Sequence, residues 1–316
     1  MTARRALLTS KPIRLPSSRV VPVRAADGTR LHTEVFGPED GYPIVLAHGI
    51  TCAIRVWHEQ INDLSADYRV IAYDHRGHGR SGVPHRGGYS LSHLASDLDA
   101  VLEATLAPGE RAVIAGHSMG GIAITSWSER SAHKVEKRAD AVALINTTTG
   151  DLLQEIDLFP VPPGLATSRV RAARRLLLTF GSTPVYTAVQ RPSQRLVAMM
   201  AVGRDADPAI GSFVHELFES TPPAGRGAWL RVLVDSLGPK HISLRGLTVP
   251  TLVIGSERDR LLPMVSSRRI AAATPDLAKF VTLSGGHCAI LERADQVNKE
   301  LRALAESVVE ARRVSS

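Results

Sequence analysis

Gly116-His117-Ser118-Met119-Gly120, with Gly121 behind it, is the stretch from which the rest of this chain can be read. It follows an apolar run at 112–115 and opens a helical pattern at 120–131. A serine in G-x-S-x-G between a strand and a helix occupies a sharp, strained turn that presents its hydroxyl as a nucleophile. Such a turn presses together the residues two places to either side, where a Cβ would collide. That explains Gly116 and Gly120.

Outward from this turn, short apolar runs alternate with longer helical ones. The runs are 43–47, 68–73, 112–115, 141–145, 251–254 and 280–283, as expected of strands covered on both faces. Helical patterns fall at 91–106, starting near Ser90 and Ser92, at 120–131 and at 294–312. Strand–helix alternation predicts an α/β fold with a doubly wound, mostly parallel sheet. Upstream, 20–23, Asp27-Gly28 and 31–36 read as a hairpin with a tight turn. The alternation stops between Thr147 and Gly238, where eight prolines from Pro160 to Pro223 punctuate helical pieces at 169–180 and 227–237. This predicts an inserted helical cap over the sheet's C-terminal edge. The expected organisation is a basic tail at 1–18, a core at 19–147 and 239–316, and a cap or lid at 148–238.

Composition narrows the function. With 316 residues, 44% of them apolar, the chain can bury a large core without disulfide or metal staples. Cys52 and Cys288 cannot make a disulfide framework or a four-cysteine zinc site, and suit a reducing compartment. The net charge of +7 is concentrated: residues 1–24 carry +6 and 158–204 carry +7, neither with an acid, on a mildly acidic remainder. That distribution, without a zinc-finger, helix-turn-helix or RNA-binding signature, argues against nucleic acid as a partner. Ala6-Leu7-Leu8 is too short for a signal-peptide core of about 7–15 residues. No stretch approaches the roughly 18 apolar residues that span a bilayer. The expected location is cytoplasmic, at most peripheral to a membrane.

The serine needs partners, and the ends of the apolar runs supply them. His48-Gly49-Ile50 directly follows 43–47, and a loop turning back over the serine lets the N–H groups of Ile50 and Met119 point at one oxygen. That is an oxyanion hole, and His48 reads as a brace for its loop. Asp259 lies just beyond 251–254 and His287 just beyond 280–283, at the strand ends where open α/β sheets place their sites. The chain order Ser118, Asp259, His287 is the one such an elbow requires. His75, His78 and His117 read as scaffold, because their spacing matches no zinc pattern. No metal and no cofactor is predicted.

The sequence resembles the α/β-hydrolase superfamily over roughly residues 20–312, in the branch with a helical cap that includes carboxylesterases and monoacylglycerol-type lipases. Besides the elbow, Asp74-His75-Arg76-Gly77-His78-Gly79-Arg80-Ser81 resembles the family's D-x-R-G-x-G-x-S loop. Gly286-His287 followed by Leu291-Glu292 resembles its catalytic-histidine motif. One departure is that Asp259 stands four residues after Gly255, where many relatives have three. Glu257 is thus a competing acid, and the following Arg260-Leu261-Leu262-Pro263 favours Asp259.

The resemblance implies a Ser118–His287–Asp259 triad, a covalent acyl-enzyme and a small-molecule substrate. Apolar cap runs at 176–178 and 196–202 favour a lipophilic carboxylic ester. A serine at 118 sets the chain apart from haloalkane-dehalogenase and epoxide-hydrolase relatives, which use aspartate there. Three alternatives stay open: a thioesterase or phospholipase, a carbon–carbon hydrolase or perhydrolase, and a non-catalytic ligand-binding protein of the same fold. The arginines at 169–175 read by default as a solvated face, and functionally as a contact for anionic lipid or coenzyme-A phosphates.

Overall fold

The order in which the strands enter the sheet explains where a site can form. The computed structural model describes residues 13–157, 166–183 and 190–315. Its strands are β1 (Ser18–Arg24), β2 (Arg30–Phe36), β3 (Pro43–Ala47), β4 (Arg69–Tyr73), β5 (Ala112–His117), β6 (Ala139–Ile145), β7 (Thr251–Ser256) and β8 (Leu277–Leu283). They form a sheet in the order β1-β2-β4-β3-β5-β6-β7-β8. β2 pairs antiparallel with β1 and β4, and all other pairings are parallel. From β3 the chain crosses to β4 on one side, then returns to place β5 on the other. The helices that follow β3 and β5 therefore pack on opposite faces of the sheet, which places a site at the strands' C-terminal ends.

β3, β5, β6 and β7 are buried along their whole length, and alternate side chains feed two cores. Ile44 and Leu46 join Trp57, Ile61 and Leu301 on one face, under helices His58–Leu64 and Ala294–Ser315. Val45 and Ala47 join Leu98, Trp127 and Ile270 on the other, under helices Leu91–Thr105, Met119–Arg130 and Met264–Ala273. β8 departs from the expectation of a strand covered on both faces. It starts at Leu277 with three exposed residues, because it is an edge strand with a neighbour on one side only.

Between β6 and β7 lie helices Leu152–Glu155, Ala166–Ser182, Gln190–Ala201, Pro208–Ser220 and Pro223–Ser236. The chain leaves and rejoins the sheet layer along a shared seam. There Asp151 N–H donates to Gly238 O at 2.8 Å, Leu152 N–H to Leu237 O at 3.0 Å and Ile242 N–H to Thr149 O at 2.9 Å. Buried Arg226 donates to the carbonyls of Gly181, Thr183, Phe218 and Thr221 and lies 4.1 Å from the Phe218 ring, knitting the helical layer internally. Of the arginines at 169–175, Arg171 and Arg175 are exposed, Arg174 pairs with Asp235 and Arg169 donates to Gln154 O. Residues 1–12 of the expected 1–18 tail lie outside the described residues, as do Pro160, Pro162, Pro163 and Pro184. No helix among the described residues is long and apolar enough to cross a membrane.

The loop after β4 carries a buried ion pair and joins the sheet to the helical layer. Arg76 donates to both Asp97 oxygens at 2.6 Å, and to Asp27 and Gly88 O at 2.7 Å. Its own carbonyl accepts the indole N–H of Trp229 at 3.0 Å, and Trp229 packs edge-on against Tyr89. Removing Asp97 leaves the buried Arg76 guanidinium with the partly exposed Asp27 as its remaining counter-ion. Asp97→Ala is expected to lower the unfolding free energy by about 3 kcal/mol, measured by urea denaturation with the m-value unchanged.

Candidate active site

Ser118 sits between β5 and the Met119–Arg130 helix at φ 54°, ψ −118°. The neighbours that permit this are backbone groups. A Cβ on Gly116 would lie 2.5 Å from Gly120 C and O, and one on Gly120 would lie 2.0 Å from Ala47 O. Gly49 makes the third close approach: its Cβ would come within 3.1 Å of Ser118 Cβ and His117 Nδ1. The loop after β3 is thereby seated on the turn.

His287, beyond β8, brings its Nε2 to 3.0 Å from Ser118 Oγ. Its Nδ1 lies 2.8 Å from Asp259 Oδ2. Because a carboxylate oxygen only accepts, the proton belongs on Nδ1, and Nε2 is left to accept from the Ser118 hydroxyl. Asp259 is held on every side by donors. Oδ2 also accepts from Asn146 Nδ2 at 2.9 Å, and Oδ1 from the N–H groups of Leu261 at 2.9 Å and Leu262 at 2.8 Å. Glu257, the competing acid, is exposed and its backbone N–H is bonded to Leu283 O. Ser118, Asp259 and His287 come from residues 28 to 169 positions apart and are all buried.

A cavity of about 140 Å³ opens over Ser118 and His287. Ile50 lines it, whereas the Met119 side chain is buried in the core beneath. The far wall is apolar and belongs to the helical layer, with Leu177, Val197, Met200, Phe218 and Leu233 among its residues. Among the described residues, no Asp, Glu, Lys or Arg side chain lines it.

A family model described as the alpha/beta hydrolase fold matches residues 42–294. The chain belongs to the α/β-hydrolase family. It is 30% identical over 274 residues to the "Putative carbamate hydrolase RutD" of Variovorax paradoxus, covering 86% of this chain and 94% of that one. It is 28% identical over 298 residues to a non-heme haloperoxidase of Rhodococcus erythropolis, covering 90% and 99%. Among solved structures, the enol-lactonase of Burkholderia xenovorans LB400 superposes with a TM-score of 0.69 at 25% identity, covering 89% of this chain and 98% of that one.

In this α/β-hydrolase the other histidines brace the loops around the serine. His75 N–H donates to His48 Nε2 at 3.0 Å, so the His48 proton sits on Nδ1 and is donated to Gly49 O at 2.7 Å. His75 Nε2–H returns a bond to His48 O at 3.0 Å. Thr51 N–H donates to His78 Nε2 at 3.1 Å, and His117 Nε2–H donates to the carbonyl of His287 at 2.8 Å. Among the described residues, no group of three or more His, Cys, Asp or Glu could hold a metal ion. Cys52 and Cys288 are buried, which pushes the Cys52 thiol up to about 12 and the Cys288 thiol well above its usual range. Neither is a thiolate at neutral pH.

Sequence reasoning missed Asn146, the side-chain donor behind Asp259. Its position at the end of β6, on the same sheet edge as the others, was the available signal.

Burial, and for His117 the nearby His287, holds His75 and His117 at about 3 and His78 at about 4, and pulls His48 down as well. In the unfolded chain each titrates near 6.5. Unfolding therefore takes up protons below that value, and their contribution to stability, complete above it, is lost on acidification. Each imidazole adds a slope of about 1.4 kcal/mol per pH unit. Urea denaturation is expected to show stability falling steeply from pH 6.5 to about 4.5, less steeply in His117→Gln; a flat profile contradicts this.

Proposed function

We propose that the protein is a serine hydrolase that cleaves uncharged, lipophilic carboxylic esters through an acyl-enzyme. The observation that carries this reading is the continuous hydrogen-bonded chain from Ser118 Oγ through His287 to Asp259 at the floor of an apolar cavity.

In the first step the Ser118 hydroxyl proton passes to His287 Nε2 as Oγ attacks the ester carbonyl. The new oxyanion is met by the backbone N–H groups of Ile50 and Met119. Each such donor is worth about 2.7–4 kcal/mol in the transition state. His287, now an imidazolium facing Asp259, gives its proton to the departing alcohol as the C–O bond breaks. Water then attacks the acyl-enzyme, again losing its proton to Nε2, and Ser118 is regenerated. Asp259 keeps the Nδ1–H tautomer and stabilises the imidazolium. The 148–238 insertion acts as a lid whose apolar residues form the acyl site.

The cavity lining argues for the substrate class. A charged acyl group would be desolvated there with no counter-ion among the lining residues. An alkyl chain gains about 0.8 kcal/mol per buried CH₂. Thioesters and phospholipids share the chemistry and differ in the group that remains outside the cavity.

Kinetics with p-nitrophenyl esters test the proposal. kcat/KM is expected to rise about threefold to fourfold per added CH₂ until the cavity is filled, then fall. Ser118→Ala is expected to lower kcat by at least ~10⁴, and Asp259→Asn by ~10⁴. A response independent of acyl length speaks against the lipophilic site, and full activity in Ser118→Ala against the mechanism. The exposed Arg171 and Arg175 extend the reading to an anionic interface. Sedimentation with anionic vesicles is expected to exceed that with neutral ones; equal binding removes the extension.

A further inference from the structure

The glutamate of the Leu291-Glu292 motif has no part in the proton transfers above, yet it lies at a junction between the helical layer and the loop carrying His287. Glu292 Oε2 accepts the N–H of Gly286, the residue before His287, at 2.9 Å. The same oxygen accepts the N–H of Gly203, just beyond the Gln190–Ala201 helix, at 3.0 Å. Beside it, Cys288 N–H donates to Ala201 O at 3.0 Å. Residues on both sides of His287 are therefore bonded to the helical layer or to the carboxylate shared with it.

The contact leaves no room for a side chain on Gly286, and one on Gly203 would displace the carboxylate. A Cβ on Gly286 would lie 2.4 Å from Gly203 N, and a Cβ on Gly203 would lie 2.7 Å from Glu292 Oε2. The other anchors of the His287 loop come from the core: His117 Nε2–H donates to His287 O, Arg258 N–H to Gly285 O, and the Arg293 guanidinium to Ser284 Oγ and O. Val197, Met200 and Ala201, on the helix that ends at this junction, line the cavity beside Ser118 and His287.

We infer that Glu292 is a positioning residue: its carboxylate clamps the 201–203 segment of the helical layer to the Gly286–Cys288 loop, so that His287 is aligned on Ser118 while that layer is seated. The inference rests on the serine-hydrolase reading and adds a coupling to it. Occupation of the apolar cavity bears on the helix attached to the clamp, so acyl binding and imidazole alignment share one mechanical link.

The test uses the full chain and p-nitrophenyl butyrate. Glu292→Ala removes both acceptors and is expected to lower kcat at least tenfold with KM changed less than threefold. Glu292→Gln keeps a carbonyl oxygen for the two N–H groups and is expected to retain at least a third of wild-type kcat. Gly203→Ala intrudes on the carboxylate from the helical-layer side, and is expected to lower kcat likewise even if Glu292→Ala does not fold. Wild-type kcat in Glu292→Ala or in folded Gly203→Ala overturns the clamp, as does a Gln variant as impaired as Ala. If hydrolysis depends on Ser118 while these variants are unaffected, the clamp alone fails; hydrolysis that survives Ser118→Ala removes both readings.

Discussion

The backbone of Ser118, at φ 54°, ψ −118°, is a conformation that a non-glycine residue holds only under constraint, at about 1–3 kcal/mol. Its surroundings supply that constraint. Ser118 N–H donates to Ile145 O at 3.0 Å, and Ser118 O accepts from Thr147 Oγ1 at 2.8 Å and Gly121 N–H at 2.9 Å. These partners belong to the end of β6, the loop beyond it and the following helix, so the turn is set by the parallel strand pair. Glycines at 116 and 120 let the flanking backbones approach to distances that alanine forbids. The strain holds the hydroxyl at the C-terminal edge of the sheet, where the loops after β3, β6, β7 and β8 converge on it.

That convergence divides labour between polar and apolar layers. The sheet-side loops provide the hydrogen-bonded chain and its supports: Asn146 and two backbone N–H groups fix Asp259, while His48, His75 and His78 fix the loop carrying Ile50. Burial keeps those three imidazoles neutral, which their bonding requires, since His48 Nε2 and His78 Nε2 each accept a backbone N–H. The helical layer provides the apolar far wall of the cavity. Trp229 on Arg76 and Glu292 on Gly203 and Gly286 tie the two layers together at two separate points.

How far the sequence could be read follows from which interactions are local. Strands β3 to β7 announce themselves because residues buried on both faces must be apolar, and the serine turn because its glycines are a local steric need. β8 was harder to delimit, since its first residues face solvent and carry no pattern. The helix Pro208–Ser220 had a readable start in Asp207-Pro208, with Asp207 accepting from Ala209 N–H, but its apolar face makes sense only against the rest of the helical layer. Asn146 behind Asp259, the tautomers of the bracing histidines and the junction at Glu292 depend on contacts between segments 89 to 113 residues apart or on burial. No spacing in the chain encodes them.

The proposed chemistry requires Ser118 Oγ to be a nucleophile activated by His287 and Asp259. The most direct measurement is reaction with a fluorophosphonate, followed by intact-mass analysis and peptide mapping. A single adduct is expected, located on Ser118, with labelling markedly slowed in Asp259→Asn. Absence of an adduct, or modification elsewhere with Ser118 intact, would contradict it.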